Sequence, residues 1–532
     1  MILDKFSTKK QSVAAAAATL ITAVAFSKVL GLLRDRALAA RFGSDDVLGV
    51  YFAAFRIPDL VFQLLIMGAL SSAFIPVFSK LLGEKDYKKA WKTANVSLSW
   101  ALLLFAGTAA LVIIFAKPLA GLIAPGFTDA QKSLLAQITV IITLAQIFFV
   151  LSNFLSGILQ SMEAFLTTAL APIFYNLGII AGILFLTPSL GIFGPAWGVV
   201  LGTFLHFLVQ LYPALRLGWR PKISLDLKNT QVVKIAKLTL PRLLGQSVAQ
   251  IDYTVDIILA SFISASALIY FNFAQHLQVL PVSLFGASIA QAALPKLSKD
   301  AGNITQFKIT FQRLFHQLLF LTAPFAVLLL VLRIPLTRLV FGAARFNWEA
   351  TLQTAYTLSF FAISIVAQGS AYLLARAFYA LGDTKTPTKA GIVSIVINSL
   401  LSVLFVLGLK LPVWSLALSC SIASIVNAGL LIIMLDRKLH KFERPAFLKP
   451  VFSIGVAAFF MGVSLFLPLK LLDALVLDTT RVWGLLVLTG LTTLAGLGVY
   501  ILISLKLNIP QLALIAQYFK KQGVFPQNGL NS

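Results

Sequence analysis

Residues 14–36 read AAAAATLITAVAFSKVLGLLRDR, and this stretch decides how the rest of the chain is read. Ala14 to Leu33 is as long as the roughly 20 apolar residues that one bilayer crossing needs. The polar start before it, with Lys5, Lys9 and Lys10, gives it the outline of a secretory signal. A signal, however, has a shorter apolar run and precedes a soluble mature domain, whereas here further long apolar runs follow. The stretch is therefore expected to be a first transmembrane helix that is retained. It also carries Lys28 inside the apolar run and closes on Arg34-Asp35-Arg36.

The composition extends that reading to the whole chain. Of 532 residues, 59% are hydrophobic and 12% charged, with a mean hydropathy of +0.91. A soluble protein carries about 25% charged residues and about 45–50% apolar ones. Soluble enzymes and disordered chains are excluded, and so is a disulfide scaffold, because Cys420 is the only cysteine. Apolar segments long enough to cross a ~30 Å hydrocarbon core fall near 13–42, 48–80, 92–116, 133–161, 164–187, 191–215 and 232–263. Seven more fall near 265–295, 309–334, 350–381, 387–409, 412–435, 447–470 and 481–505. The expected fold is an all-α polytopic membrane protein of fourteen transmembrane helices. Pro58, Pro76, Pro172, Pro241, Pro281 and Pro324 are expected to bend them. Connections are short, which leaves no room for an appended catalytic domain.

Lys and Arg total 43 against 19 Asp and Glu, a net charge of +24. These cations come in short bursts between apolar runs, as in Lys85–Lys89 and Arg437–Lys441. That is the pattern of membrane loops rather than of a nucleic-acid-binding face. With the N-terminus in the cytoplasm, 28 basic residues lie on the cytoplasmic side and nine on the other. Cytoplasmic loops collect Lys and Arg, so both termini are expected on the cytoplasmic side. The loop holding Arg333, Arg338 and Arg345 runs against this trend.

The chain also repeats itself. At an offset of 219, Tyr51, Phe52, Leu65, Ala73, Pro76, Ser79 and Lys80 recur as Tyr270, Phe271, Leu284, Ala292, Pro295, Ser298 and Lys299. At an offset of 214, Ser27-Lys28-Val29-Leu30-Gly31 matches Pro241-Arg242-Leu243-Leu244-Gly245, and Asn176 and Asn398 sit at equivalent places in spans 5 and 11. Two pseudo-symmetric six-helix lobes, 1–228 and 229–440, are expected, with spans 13 and 14 and a tail in 441–532. An even span count per repeat gives both lobes the same orientation.

Several charges sit where charge is expensive, at about 2.5–3.5 kcal/mol near a bilayer centre on insertion scales. They are Lys28, Arg34, Asp35, Arg36 and Arg41 in span 1, Arg56 and Asp59 in span 2, Arg242, Asp252 and Asp256 in span 7, and Arg376 in span 10. His276 lies in span 8, and His206 is expected to pack. The repeat pairs Lys28 with Arg242, so each lobe lends a cation from its first helix to a chamber suited to a multiply charged anion. Arginine favours phosphate through its planar fork. Arg56 and Asp59, three apart, also fit a self-satisfied helix pair. Asp252 and Asp256, one turn apart, fit a cation or proton site. No glycine-rich phosphate loop, His/Cys metal cluster or hydrolase signature is present in the sequence, so no enzyme is expected.

The segments Ser27–Asp35, Phe42-Gly43, Phe52–Asp59, Gly68–Pro76, Ala124–Phe127, Leu294–Ser298, Arg376–Tyr379 and Asp383-Thr384-Lys385-Thr386-Pro387 together resemble the MurJ (MviN) lipid II flippases of the MOP exporter superfamily. The resemblance runs from span 1 to span 14. It implies a V-shaped transporter that carries undecaprenyl-pyrophosphate-linked peptidoglycan precursor (lipid II) from the inner to the outer leaflet by alternating access. The implied energy source is a coupling ion (Na+ or H+) or the membrane potential, and no cofactor is implied. The partners it implies are lipid II, membrane lipids and the cell-wall synthesis machinery. Family cavity arginines fall on Arg34 and, as a lysine, on Lys28. Two more are replaced, by Phe62 and by His276, and an acidic position before span 2 is Gly49. Joined to the embedded charges Arg56 and Arg242, the latter outside the family's usual list, this gives an expected substrate-binding set of Lys28, Arg34, Asp35, Arg56, Arg242 and His276. Sodium-binding relatives add Asp256, Asp383 and Ser399. Two other readings remain open at this point: a flippase for another polyprenyl-linked oligosaccharide, and a MATE-like cation-coupled exporter.

Overall fold

The structure, a computed structural model, describes the backbone of residues 13–67, 73–226, 228–475 and 482–512; the side chains of 13–21, 67, 238, 240–249 and 472–475 lie outside that description. The described residues are helical wherever they are regular. Long helices are α1 (Val13–Phe42), α2 (Asp46–Ile66), α3 (Tyr87–Ile114), α4 (Asp129–Ser161), α5 (Phe165–Leu190), α6 (Phe193–Arg216) and α7 (Thr230–Ile263). They continue as α8 (Ala265–Asp300), α9 (Ile304–Val331), α10 (Trp348–Ala380), α11 (Lys385–Gly408), α12 (Trp414–Lys438), α13 (Arg444–Leu475) and α14 (Val482–Lys506). Among the described residues, twelve helices are long and apolar enough to cross a membrane. The other two, α1 and α7, occupy the places expected for spans 1 and 7, and part of each lies outside the side-chain description. The chain is an all-helical, multi-pass membrane protein.

The helices are not plain rods. α2 breaks at Phe55, and its second part starts with Arg56. Widened π-helical turns interrupt four spans, at Gln63–Met67 in α2, Gly182–Leu186 in α5, Val282–Ala287 in α8 and Leu404–Gly408 in α11. Such turns appear where a helix takes in one extra residue, often at functional sites.

The described residues form two compact units. The first comprises Met1–Ile269 with Phe341–Asn347, and the second Tyr270–Val340 with Trp348–Ser532. The compact-unit boundary thus lies one helix beyond the repeat-based boundary at 228/229, because α7 packs with the first unit. Arg56, on α2, is one of the ties between them, as described below.

Each unit has its own aromatic core. In the first, Phe74 packs on Phe78 and Phe154, and Phe78 on Trp91. In the second, Phe311 stacks on Phe315 and Phe442, and Phe447 on Phe315 and Phe442, with the ring planes of each pair 8–24° apart. Apolar helices in lipid gain little from hydrophobic burial against each other, so close packing through small residues does the work. A Cβ added to Gly178 of α5 would lie 2.3 Å from Cα of Gly202 on α6, so these two backbones nearly touch.

Candidate functional site

Within the first unit the embedded charges sort into two clusters. The first centres on Arg34 of α1. Its Nε and Nη2 both donate to Asp35 Oδ1, at 3.0 and 2.8 Å. Its Nη1 donates to Asn176 Oδ1 on α5 at 3.2 Å. Asn176 in turn donates through Nδ2 to the Pro172 carbonyl (3.0 Å) and the Ser27 carbonyl (3.4 Å). The Asp35 side chain is 2% exposed and that of Arg34 19%. Arg34 is thus an anchored cation, with its neighbour on the sequence as counter-ion and a buried amide fixing its plane. Three of its N–H groups are used in these bonds; a guanidinium has five.

The second cluster centres on Arg56. The expected helix pair with Asp59 is replaced by ties to other helices. Arg56 donates from Nε to Thr254 Oγ1 (2.8 Å), from Nη1 to Gln250 Oε1 (3.1 Å) and from Nη2 to the Gln250 carbonyl. Its guanidinium also lies 5.0 Å from the ring centre of Tyr253, and the residue is buried. All three partners lie on α7, so Arg56 ties α2 to α7, and each of its nitrogens is engaged. Asp59 instead accepts from Gln146 Nε2 on α4 at 2.8 Å. Sequence reasoning missed Asn176, Gln146, Gln250 and Thr254 as partners. The available signal was their polarity inside apolar runs.

The remaining residues are placed as follows. Lys28 is exposed on α1, while Asp35, seven residues on and on the same helix face, is buried. The Arg242 side chain lies outside the described residues, although its backbone is part of α7. Asp256 is buried and Asp252, one turn earlier on α7, half-buried. His276 is half-buried on α8. His206 packs as expected: its Nδ1 lies 2.5 Å from Ser152 Oγ, in a buried group that includes Gln210.

Two members of the cation set drawn from sodium-binding relatives, Asp383 and Ser399, lie far apart along one helix. Asp383 accepts from Lys438 Nζ (2.6 Å) and from the Thr386 amide (3.0 Å) and hydroxyl (2.8 Å). It therefore caps the start of α11 and ties it to the end of α12. The hydrogen bond from Lys438, then that from the Thr386 amide, holds this carboxyl well below the usual carboxylate range. Ser399 lies well along α11, some 20 Å or more from its start at 1.5 Å per residue. One ion cannot touch both.

At one end of the first unit the backbones meet very closely. A Cβ on Gly49 of α2 would lie 1.9 Å from the Ala265 carbonyl oxygen at the start of α8, and one on Gly126 would lie 2.3 Å from that of Ser261. Asp46 joins the same region, accepting from Ser266 Oγ (2.6 Å) and from Gln131 Nε2 (3.0 Å). Gln131 also closes a capping box with Thr128 at the start of α4.

Comparison with known proteins turns this geometry into an assignment. A family model described as Lipid II flippase MurJ matches residues 38–483. The chain belongs to this family. It is 30% identical to the lipid II flippase MurJ of Burkholderia cenocepacia, over 71% of this chain and 76% of that protein. It is 31% identical to the probable lipid II flippase MurJ of Bdellovibrio bacteriovorus, over 82% and 85%. A solved structure described as lipid II flippase MurJ in an inward closed conformation superposes with a TM-score of 0.77 at 26% identity, covering 91% of this chain and 97% of that one. An inward-facing MATE multidrug transporter of the MOP superfamily shares the fold, with a TM-score of 0.65 at 16% identity and coverage of 78% and 94%. Two positions at which the resemblance implied a charged residue are enclosed. A side chain at Gly49 would meet the Ala265 carbonyl, and Phe62 is buried in the core with its ring 5.7 Å from that of Phe149.

Proposed function

We propose that this chain is a lipid II flippase. It transfers the undecaprenyl-pyrophosphate-linked peptidoglycan precursor from the inner to the outer leaflet by alternating access, for cell-wall synthesis. It is a transporter and not an enzyme. The observation that carries the reading is the family match over residues 38–483 joined to an arginine anchored inside an apolar bundle. Moving a diphosphate through hydrocarbon unaided is prohibitive. A site that presents fixed donors in place of water removes that barrier.

In this reading Arg34 is the principal headgroup cation. Asp35 and Asn176 hold its plane, and the two N–H groups beyond the bonds described above are the donors a pyrophosphate takes. Lys28 and Arg242 supply further positive charge, and His276 a further hydrogen-bond donor. Arg56 positions α2 against α7 rather than meeting the headgroup. Asp252 and Asp256, one turn apart on α7, are the candidate site for a coupling ion. The membrane potential contributes about 2.3 kcal/mol per charge per 100 mV to whichever step moves net charge.

The 28-to-9 bias of basic residues supports cytoplasmic N- and C-termini. Descent from two repeated lobes is supported by the π turns. Those of α2 and α8 begin 219 residues apart, the offset of the sequence repeat, and those of α5 and α11 begin 222 apart, as Asn176 and Asn398 do. Association with cell-wall synthesis enzymes follows from the cargo.

The test is complementation of a bacterium depleted of its own lipid II flippase. The unaltered chain restores growth, and the Arg34→Ala, Arg242→Ala double variant, expressed to the same level, does not. Growth with the double variant would overturn the headgroup assignment.

A further inference from the structure

The second unit holds a cavity that the transport reading does not use. It has a volume of about 650 Å³ and lies where α12 ends and α13 begins, around the short turn that joins them. That volume is within the range of about 300–1,000 Å³ typical of small-molecule sites.

Its walls are of two kinds. One side is basic: Arg437, His440, Lys441 and Arg444 line it. The only carboxylate among the lining residues is Asp436, and both of its oxygens are engaged. Oδ1 accepts from the Phe442 amide at 2.6 Å and Oδ2 from Arg444 Nη2 at 3.1 Å. Neither Arg437 nor Lys441 has an acidic partner among the described residues, and both are exposed. The other side is apolar. Phe442 and Phe447 form a buried floor, stacked at 4.9 Å. Ile433 and Leu448, on the two helices that rise from the turn, are 53% and 52% exposed.

The cavity is built rather than incidental. Phe447 is locked from behind by His316, whose Nε2 donates to its carbonyl at 3.0 Å, and by the ring of Phe315. The turn itself is held by Lys308, which donates from Nζ to the Lys441 carbonyl at 2.9 Å. His440 and Lys441 both adopt left-handed backbone conformations, with φ of 55° and 67°. These hydrogen bonds hold the turn in that unusual shape and keep Lys441 beside the apolar floor.

We propose that this cavity binds the headgroup of an anionic glycerophospholipid. Two features select that chemistry together. The uncompensated cations at the ends of two membrane-spanning helices attract a phosphate, as basic pockets between such helices do, and the Arg437 fork suits its oxygens. The exposed Ile433 and Leu448 continue the cavity along apolar helix surface, so the ligand carries hydrocarbon below its phosphate. A free anion uses only the basic half of the cavity. A zwitterionic lipid brings its own cation to a wall that is already positive.

The test uses the full chain in detergent with lipids added, read by native mass spectrometry. Phosphatidylglycerol and phosphatidylcholine with identical acyl chains are compared on the unaltered protein and on the Arg437→Gln, Lys441→Gln double variant. We expect phosphatidylglycerol to bind at least tenfold more tightly than phosphatidylcholine. The double variant is expected to lose about tenfold for phosphatidylglycerol and nothing for phosphatidylcholine. Lys441→Glu alone, at an exposed turn, provides a second variant with the same expected direction, and a thermal melt of each confirms the fold. Equal phosphatidylglycerol binding by the folded variants and the unaltered chain would overturn the proposal. Displacement of the lipid by millimolar inorganic phosphate would also overturn it, by showing that the site reads a free anion.

Discussion

Replacing Arg34 separates what the residue does for the fold from what it does for the cargo. In Arg34→Ala the Asp35 carboxylate, 2% exposed, loses both of its hydrogen bonds from the guanidinium. Removing one partner of a buried pair costs up to about 3–5 kcal/mol, because the other charge stays buried without that counter-ion. Two lesser losses accompany it: the bond to Asn176 and the packing of the arginine stem. The expected shift in the folding equilibrium is therefore up to about a hundredfold to a few thousandfold, at about 1.4 kcal/mol per tenfold. Adding Asp35→Asn removes the carboxylate that has lost its guanidinium and should recover most of that loss. It should recover none of the transport, because the cation that meets the diphosphate is still missing. The assay pairs unfolding of the purified variants in detergent with complementation of a flippase-depleted strain. A double variant that is stable and also supports growth would refute the substrate role. A single variant as stable as the unaltered protein would refute the buried ion pair.

Three further outcomes follow from the geometry. Gly49→Ala must move the Ala265 carbonyl oxygen from 1.9 Å to at least 3.0 Å from the new Cβ; overpacking of this kind costs about 1–3 kcal/mol, seen as a lower melting temperature, and an unchanged melt counts against the close approach of α2 and α8. Arg56→Gln gives up the ties to Thr254 and Gln250 and should cost about 2–3 kcal/mol, since bonds to a charged donor are worth about 1.5–3 kcal/mol each and Gln restores part; proteolysis between α2 and α7 should rise, and unaltered protection would contradict the tie. The Asp383 carboxyl is held below its ordinary value of 3.8 in the fold, so its contribution is present above about pH 4 and is lost as pH falls further. With Lys438 39% exposed that contribution is about 1 kcal/mol or less. Between pH 6 and pH 3.5 the unaltered protein should therefore lose slightly more stability than Asp383→Asn, and parallel profiles would remove the ion pair from the account.

How much was legible beforehand differs from residue to residue. The long helices fall where the apolar runs fall, and the break in α2 lies beside the charged Arg56 in the run Phe55-Arg56-Ile57-Pro58. Arg34 and Asp35 could be picked out because charge is rare at such depth, and their adjacency made the pair readable. Arg56 was misread in part, because three-residue spacing to Asp59 describes one helix face and says nothing about a neighbouring helix. Asp383 was assigned to an ion site by resemblance, whereas local chemistry governs it: an aspartate just before Thr-Lys-Thr-Pro caps the helix those residues begin. Gly49 looked like the loss of an acid until the Ala265 carbonyl was found in the space its side chain would need.

By itself the sequence determined that the chain is a membrane-spanning helical bundle, that its charge lies in loops and at a few buried points, and that it resembles the lipid II flippases. These properties follow from hydropathy, from the cost of burying charge and from motifs contiguous in the chain, none of which depends on distant contacts. Only the tertiary structure decided which embedded charges are anchored beside a counter-ion, which tie helices together, and where backbones approach too closely for a side chain. Those outcomes depend on residues far apart in sequence, such as Arg34 and Asn176 or Gly49 and Ala265. Their meeting is set by how the helices pack, and helical periodicity within a single span carries no record of it.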